Sequence, residues 1–349
     1  VWIGVVSTDA EDINNWSNGF PTKDIDVTIN VTPNDPTFSE DAEMKNLEIA
    51  NGASVSQTNE SQINVYGDFE NHGFYNPGNS TLAFKGDGIQ NFSTDNQITV
   101  YNLTIDNGTN LNLVSGNIDI YNTLDLESGD LVTNYDYDFP NNNLVTFKSN
   151  SNTTAIISEI ENGNTIVGDV MIERYIPLQN RAFRYMTTSV NTSTSINENW
   201  QEGANDVSEN PNPGYGTHIT GSQTGANGFD GTATGNPSLF QWNATAQEWN
   251  AVPNTDTETL QAQEAYGILM RGDRSISLTS NDAIGNSTVL RTRGNLLNGN
   301  QNVPNLAQNE GEFSLVGNPY QAKVDMDVLL SNAEGLSSQF SYIYDPTLG

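Results

Sequence analysis

Residues Ile98 to Thr133 read ITVYNLTIDNGTNLNLVSGNIDIYNTLDLESGDLVT, and this stretch decides the fold. Leu103, Ile105, Leu111, Leu113, Ile118, Ile120, Leu124 and Leu126 fall on alternate positions within short runs, the period that sends strand side chains to one face. Asp106-Asn107-Gly108, Ser115-Gly116 and Ser128-Gly129 break the runs with residues that favour bends. The segment Asn102-Leu103-Thr104-Ile105-Asp106-Asn107-Gly108 returns as Thr123-Leu124-Asp125-Leu126-Glu127-Ser128-Gly129, an offset of about 21 residues, the size of one solenoid coil. Leu82 and Phe84 upstream and Val145 and Phe147 downstream keep the phase, which predicts one internal column of Leu82, Leu103, Leu124 and Val145. Val27/Ile29, Leu47/Ile49 and Ile63/Val65 extend the series backwards at shorter spacings. Strands this short bury their apolar faces only by stacking on neighbours, so the expected fold is a parallel β-solenoid. An antiparallel sandwich with evenly spaced strands is the alternative.

Working outward, the chain reads as all-β: a cap over residues 1–26, a solenoid (β-helix) over 27–177 and a jelly-roll-like β-sandwich over 178–349, incomplete at its C-terminal end. Trp2 and Trp16 are expected to cover the open end of the solenoid, where an exposed edge invites pairing with another chain. The register changes at Asp169 to Pro177, and the boundary is placed near Pro177. Residues Glu198 to Pro237 form a long Gly/Asn/Pro-rich surface loop. Ser238 to Trp242 and Glu248 to Val252 flank a hairpin turn, with Phe240 and Trp242 on one face. Strand aromatics can stack on sugar rings but more often fill the core between two sheets, and the core is the preferred reading for this pair.

Composition narrows the partners. The 349 residues carry 12 Lys plus Arg against 43 Asp plus Glu, a formal net charge of −31. That charge repels nucleic acid and anionic membranes and leaves cations as the favoured small partners. Without Cys there is neither a disulfide framework nor thiolate chemistry. No apolar run approaches the roughly 20 residues that span a bilayer, so no membrane span is expected. The Asn/Ser/Thr-rich, Lys-poor composition points to a mature extracellular or cell-surface protein whose signal peptide has been removed.

Three carboxylate pairs have the spacing of oxygen ligands for calcium, the expected cofactor: Asp24 with Asp26, Asp136 with Asp138, and Asp325 with Asp327. Each pair also fits an exposed strand face. Trp200, Tyr215, Trp242 and Trp249 are the candidates for stacking against a glycan. His72 and His218 sit in no nucleophile or metal motif and are expected at the surface. The tripeptide Arg271-Gly272-Asp273 matches an integrin ligand, but a string this short carries no functional weight. The predicted coils between Val27 and Ile172 hold only Lys45, Lys85 and Lys148, which argues against lyase chemistry on them. The seven Arg fall in two groups and are expected to pair with carboxylates that hold the two domains together.

Val1-Trp2-Ile3-Gly4, Asn15-Trp16, Pro21 and Asp24-Ile25-Asp26-Val27-Thr28-Ile29 at the start resemble the opening of secreted cell-surface β-proteins of Bacteroidota exported by the type IX secretion system. Asp169 to Pro177, followed by Arg181-Ala182-Phe183-Arg184-Tyr185, resembles the entry to a second β domain in the same proteins. Phe313-Ser314-Leu315-Val316-Gly317-Asn318-Pro319-Tyr320, read as a strand running into an Asn-Pro turn, is the most specific match. The resemblance implies an adhesin-like protein whose chain continues beyond Gly349 into further β structure and a C-terminal sorting domain. Ser338 to Tyr344 then reads as a strand awaiting a partner, supplied by that continuation or in trans by a neighbouring molecule. The expected function is that of an extracellular non-enzymatic surface protein, structural or adhesive, a filament or surface-layer component. Its expected partners are copies of itself, other surface proteins or extracellular polysaccharide. The alternative is a secreted protein that binds or degrades polysaccharide, since carboxylate pairs suited to glycosidic chemistry are abundant.

Overall fold

The computed structural model describes residues 1–133, 143–160, 163–178, 181–280, 282–303 and 306–335. It is all-β, 40% strand and 6% helix, with a β-solenoid of about six turns. The chain forms two compact units, Val1–Lys148 with Thr153–Met171, and Ser149–Asn152 with Ile172–Gly349.

Each solenoid turn carries three short strands, and each strand pairs in parallel with its counterpart one turn on. The first row runs through Val27–Ile29, Leu47–Ile49, Phe69–Asn71 and Gln90–Thr94, then residues 111–115 and 131–133 of two long strands, and ends at Ile166–Val167. The second row contains Thr37–Phe38, Ser54–Gln57 and Phe74–Asn76 and, further along, residues 98–100, residues 118–120 and Val145–Phe147. The third row is Ala42–Met44, Gln62–Val65, Thr81–Phe84, residues 103–105, residues 124–126 and Ile156–Ile157. In-register pairing lines like positions up along the stack. Met44, Val65, Phe84, Ile105 and Leu126 thus form one column, each at most 1% exposed. Burying one such side chain contributes about 1.5–3 kcal/mol, so the column supplies the stability that a three-residue strand lacks.

Leu82, Leu103 and Leu124 share a column as expected. The next member is Ile157, however, because Val145 pairs with Ile118 in the second row. The sixth turn is longer than the others, so a constant period overshoots into the wrong row. Similarly, Ile63 and Val65 belong to the third row, whereas Val27/Ile29 and Leu47/Ile49 belong to the first.

The corners also need internal partners for their backbone. Buried Gln90 accepts from the Gly86 amide (3.0 Å) and donates to the carbonyls of Val65 (2.9 Å) and Gly67. Buried Gln57 donates to the Ser61 (3.1 Å) and Thr81 (3.2 Å) carbonyls and accepts from the Tyr75 hydroxyl. At the N-terminal end Trp2 and Trp16 meet edge to face at 5.1 Å, and Trp2 donates its backbone amide to the Thr28 carbonyl. Their indole Nε1 groups donate to the carbonyls of Asn34 and Ala10, both at 2.8 Å, which lets two large rings lie buried on the first turn with no polar atom stranded.

The second unit is built around a four-stranded antiparallel sheet in the order Ala182–Met186, Tyr266–Met270, Leu239–Asn243, Glu248–Ala251. One face sends Leu239, Tyr266, Ile268 and Met270 into a core completed by Ile176, Ile196, Trp200, Ile219, Phe229, Val252, Leu260 and Leu290. Leu290 comes from the strand Thr288–Leu296, which pairs with Val190–Thr192, so strands lie on both sides of this core in a sandwich-like arrangement. A capping box closes the start of the short helix Ile196–Trp200, with Ser195 and Glu198 exchanging bonds. The loop expected over residues 198–237 turns inward, for it delivers Trp200, Ile219 and Phe229 to the core. Phe313 to Val316 is not a strand; Gln247 instead clamps the Phe313 backbone, donating to its carbonyl (2.9 Å) and accepting from its amide (2.7 Å). Among the described residues no helix is long and apolar enough to cross a membrane.

Candidate functional site

The other face of the four-stranded sheet carries Phe183, Tyr185, Phe240, Trp242, Trp249, Ala251, Gly267 and Leu269, by strand alternation from the core-facing residues. None is charged. Tyr185 is 47% and Phe183 38% exposed, whereas Phe240, Trp242 and Trp249 are half-buried. Gly267 lies between Tyr185 and Phe240 in the register, and a Cβ there would stand 3.1–3.4 Å from three atoms of the Trp249 six-membered ring. The glycine therefore makes the bed on which Trp249 lies. Tyr185 leans on Trp249 at 5.2 Å with ring planes 31° apart, and Trp242 stands edge-on to it at 5.3 Å. Phe183 and Phe240 meet at 5.8 Å. The indole of Trp242 donates to the Phe313 carbonyl at 3.2 Å, which fixes its orientation.

Of the four glycan candidates, the fold brings Trp242 and Trp249 together as a cross-strand pair. Trp200 is 1% exposed and packs edge-on to Tyr266 in the core, so it offers no ring face to a ligand. Tyr215 stands apart from the aromatic face, with the Arg291 guanidinium 4.4 Å above its ring; Arg291 in turn grips both Glu202 carboxylate oxygens. The core expected around Phe240 and Trp242 forms on the opposite face instead, because Leu239 and its neighbours in alternate phase take the interior. Tyr185 and Phe183 escaped the sequence reading. Their signal was the alternation of Phe183 and Tyr185 against Arg184.

The calcium pairs fare differently. Asp26 accepts from the Asn46 amide (2.7 Å) and lies 3.8 Å from the Lys45 ammonium, on an exposed turn shared with Asp24. Asp325 caps the helix Met326–Asn332 by accepting from the Asp327 and Val328 amides, which accounts for its spacing from Asp327. Asp136 and Asp138 lie outside the described residues, as does the Ser338 to Tyr344 segment. Among the described residues no three carboxylates or imidazoles gather as a metal would require.

His72 is partly exposed and lies 3.0 Å from Asp95. His218, expected at the surface, is 6% exposed, with its Nδ1 3.2 Å from Asp230. Asp230 is fully buried and accepts two bonds from the buried Arg274, at 2.9 and 2.7 Å, and one from the Ile219 amide at 3.0 Å. Arg274 uses its remaining donors on the carbonyls of Glu209, Thr217 and Asp206. Burial alone would raise the Asp230 carboxyl, but the bonds and charges of His218 and Arg274 outweigh it and hold the group below the usual range. Asp273 of the Arg-Gly-Asp string is 4% exposed and bonded to the Gly214 amide, Ser275 and Asn286, which removes it from any integrin-like role. These charges tie the loops of the second unit to one another, and the described pairs of Arg274 and Arg291 both lie within that unit.

No family model matches the chain, nor does any curated protein or solved structure.

Proposed function

We propose that this is an extracellular, non-enzymatic surface protein with a structural or adhesive role, whose contact surface is the aromatic face of the second unit. The observation that carries the reading is the uncharged set of eight positions on that face, in a chain with a net charge of −31. A protein this acidic repels copies of itself and other anions over most of its surface, and an uncharged aromatic face is where a neutral partner can approach. The buried charges support the non-enzymatic part: Asp230, Arg274 and Asp273 are engaged by internal partners and are unsuited to proton transfer with a ligand. The resemblance of the sequence to type IX-exported surface proteins of Bacteroidota agrees with this reading. Polysaccharide binding is the second reading, favoured by the Tyr185–Trp249–Trp242 cluster, since such rings pack on the apolar faces of sugars.

The test is adhesion of the purified protein to cells and to immobilised cell-surface polymer, comparing the native chain with a Tyr185→Ala/Trp249→Ala variant. Loss of adhesion with an unchanged unfolding midpoint is expected; undiminished adhesion refutes the assignment of the contact to this face.

A further inference from the structure

An open groove of about 510 Å³ runs along the solenoid, across the corners that follow the third row of strands. Its walls are the end residues of successive turns: Tyr66, then Lys85, Gly86 and Asp87, then Asp106, Asn107 and Gly108, then Ser128. In-register stacking puts these corners about 4.8 Å apart, so four of them span about 14 Å, room for a short oligosaccharide. The volume falls in the range of small-molecule sites.

Three of the wall groups, Tyr66, Gly86 and Asn107, are held from behind. The Tyr66 hydroxyl is 3.1 Å from a Glu43 carboxylate oxygen, which anchors the ring. Gly86 donates to buried Gln90, and a Cβ at Gly86 would collide with the Tyr66 carbonyl, so the corner comes close because it has no side chain. Asn107 is buried and spends its amide on the Thr109 amide and the Asn110 carbonyl, which fixes the bend beside Asp106. Lys85 and Asp106 are 3.9 Å apart, with side chains 30% and 38% exposed. At that distance they neutralise each other without making a hydrogen bond, so the ammonium keeps donors and the carboxylate acceptors for a third party. The Asp125 carboxyl is raised by burial and then by the Asp106 charge, which shows a second acceptor near the same corner.

We propose that this groove is a binding site for an uncharged, hydroxyl-rich oligosaccharide, with Asp106 and Lys85 bonding adjacent hydroxyls, Ser128 adding a hydroxyl contact and Tyr66 packing against a sugar ring. The balance of the wall selects the class. Asp87 and Asp106 in the wall, with Glu43 behind Tyr66, outnumber Lys85 and repel uronates, whereas the donors of Lys85 and the acceptors of Asp106 together suit the hydroxyls of a neutral sugar. The site lies on the first unit and stands whether or not the aromatic face of the second is adhesive.

The experiment uses the full chain in calorimetric titrations with linear hexasaccharides of glucose, mannose and galactose, and with hexagalacturonate and hexaglucosamine as charged probes. At least one neutral hexasaccharide is expected to bind, with Tyr66→Ala and Asp106→Asn each weakening it about tenfold or more, equivalent to ~1.4 kcal/mol. Tyr66→Phe should retain most of the affinity, since it keeps the ring. Unfolding midpoints of the variants exclude a collapsed groove. No binding of any neutral probe at millimolar concentration, native affinity in Asp106→Asn, or tighter salt-sensitive binding of a charged probe would each overturn the proposal.

Discussion

In the solenoid the buried amides Gln57 and Gln90 each bond to carbonyls of their own or an adjacent turn. In the second unit buried amides recur at Asn197 and Gln201, but full charges also tie the loops, with Arg274 reaching Asp230 across 44 residues and Arg291 reaching Glu202 across 89. A repeating fold presents nearly the same corner at every turn, and a neutral amide satisfies it at little desolvation cost. A non-repeating unit must fix long loops once each, and a bidentate Arg–carboxylate pair supplies the directional hold. The difference predicts that the first unit fails by loss of packing and the second by stranding of charge.

The largest effect is expected at the middle of the solenoid. Leu103→Asp puts a carboxylate between Leu82 and Leu124 with no cation in reach, and should cost about 4 kcal/mol or more in denaturant unfolding. A cost under about 1 kcal/mol would mean that this column is not the core.

Next comes Arg274→Met, which leaves Asp230 buried with its main counter-charge gone and should cost about 3–5 kcal/mol. Combining it with Asp230→Asn should recover much of the loss, because the stranded charge is removed too. Additive losses would show that the pair acts through shape alone.

The same carboxylate gives a pH signature. Its folded pKa lies below its unfolded value of about 3.9, so its stabilisation is complete above that value and is lost as pH falls through the folded one. Unfolding of the native chain should therefore steepen below about pH 4, and Asp230→Asn should flatten that slope. An unchanged slope would assign acid sensitivity to other carboxylates.

A smaller effect separates the rows. A double-mutant cycle between Leu124 and Ile157, both truncated to Ala, should show a coupling of about 0.5–1 kcal/mol, and the cycle between Leu124 and Val145 should show none. The reverse result would restore the constant-period column.

The unequal legibility of the two units follows from the same contrast. Residues 98–133 announce the solenoid because a period near 21 and alternation at two act over short distances in sequence, and Leu82, Leu103 and Leu124 reveal their column directly. The phase is lost at Val145, where a longer sixth turn leaves the spacing with no information about row. The aromatic face was half legible: Trp242 and Trp249 stand out as a hairpin pair, but which side of the sheet meets the core depends on Tyr266 and Ile268, far along the chain. His218 looked like a surface histidine because Asp230 and Arg274, which bury it, are unrelated to it in sequence. The solenoid groove was missed altogether, since Tyr66, Lys85, Asp106 and Ser128 become neighbours only once the turns stack.

The in-register stack itself can be measured across many turns at once. Glu43, Asn64, Ala83, Thr104 and Asp125 are successive members of the column that alternates with the core-facing ones, so four rises of about 4.8 Å put Glu43 and Asp125 about 19 Å apart. The sequence has no native Cys, so a Glu43→Cys/Asp125→Cys chain can be spin-labelled at those two sites alone. Dipolar electron resonance should return a single narrow distribution near 19 Å, broadened only by the label arms. A broad distribution, or one centred beyond about 30 Å, would contradict the six-turn parallel solenoid on which the proposed groove is built.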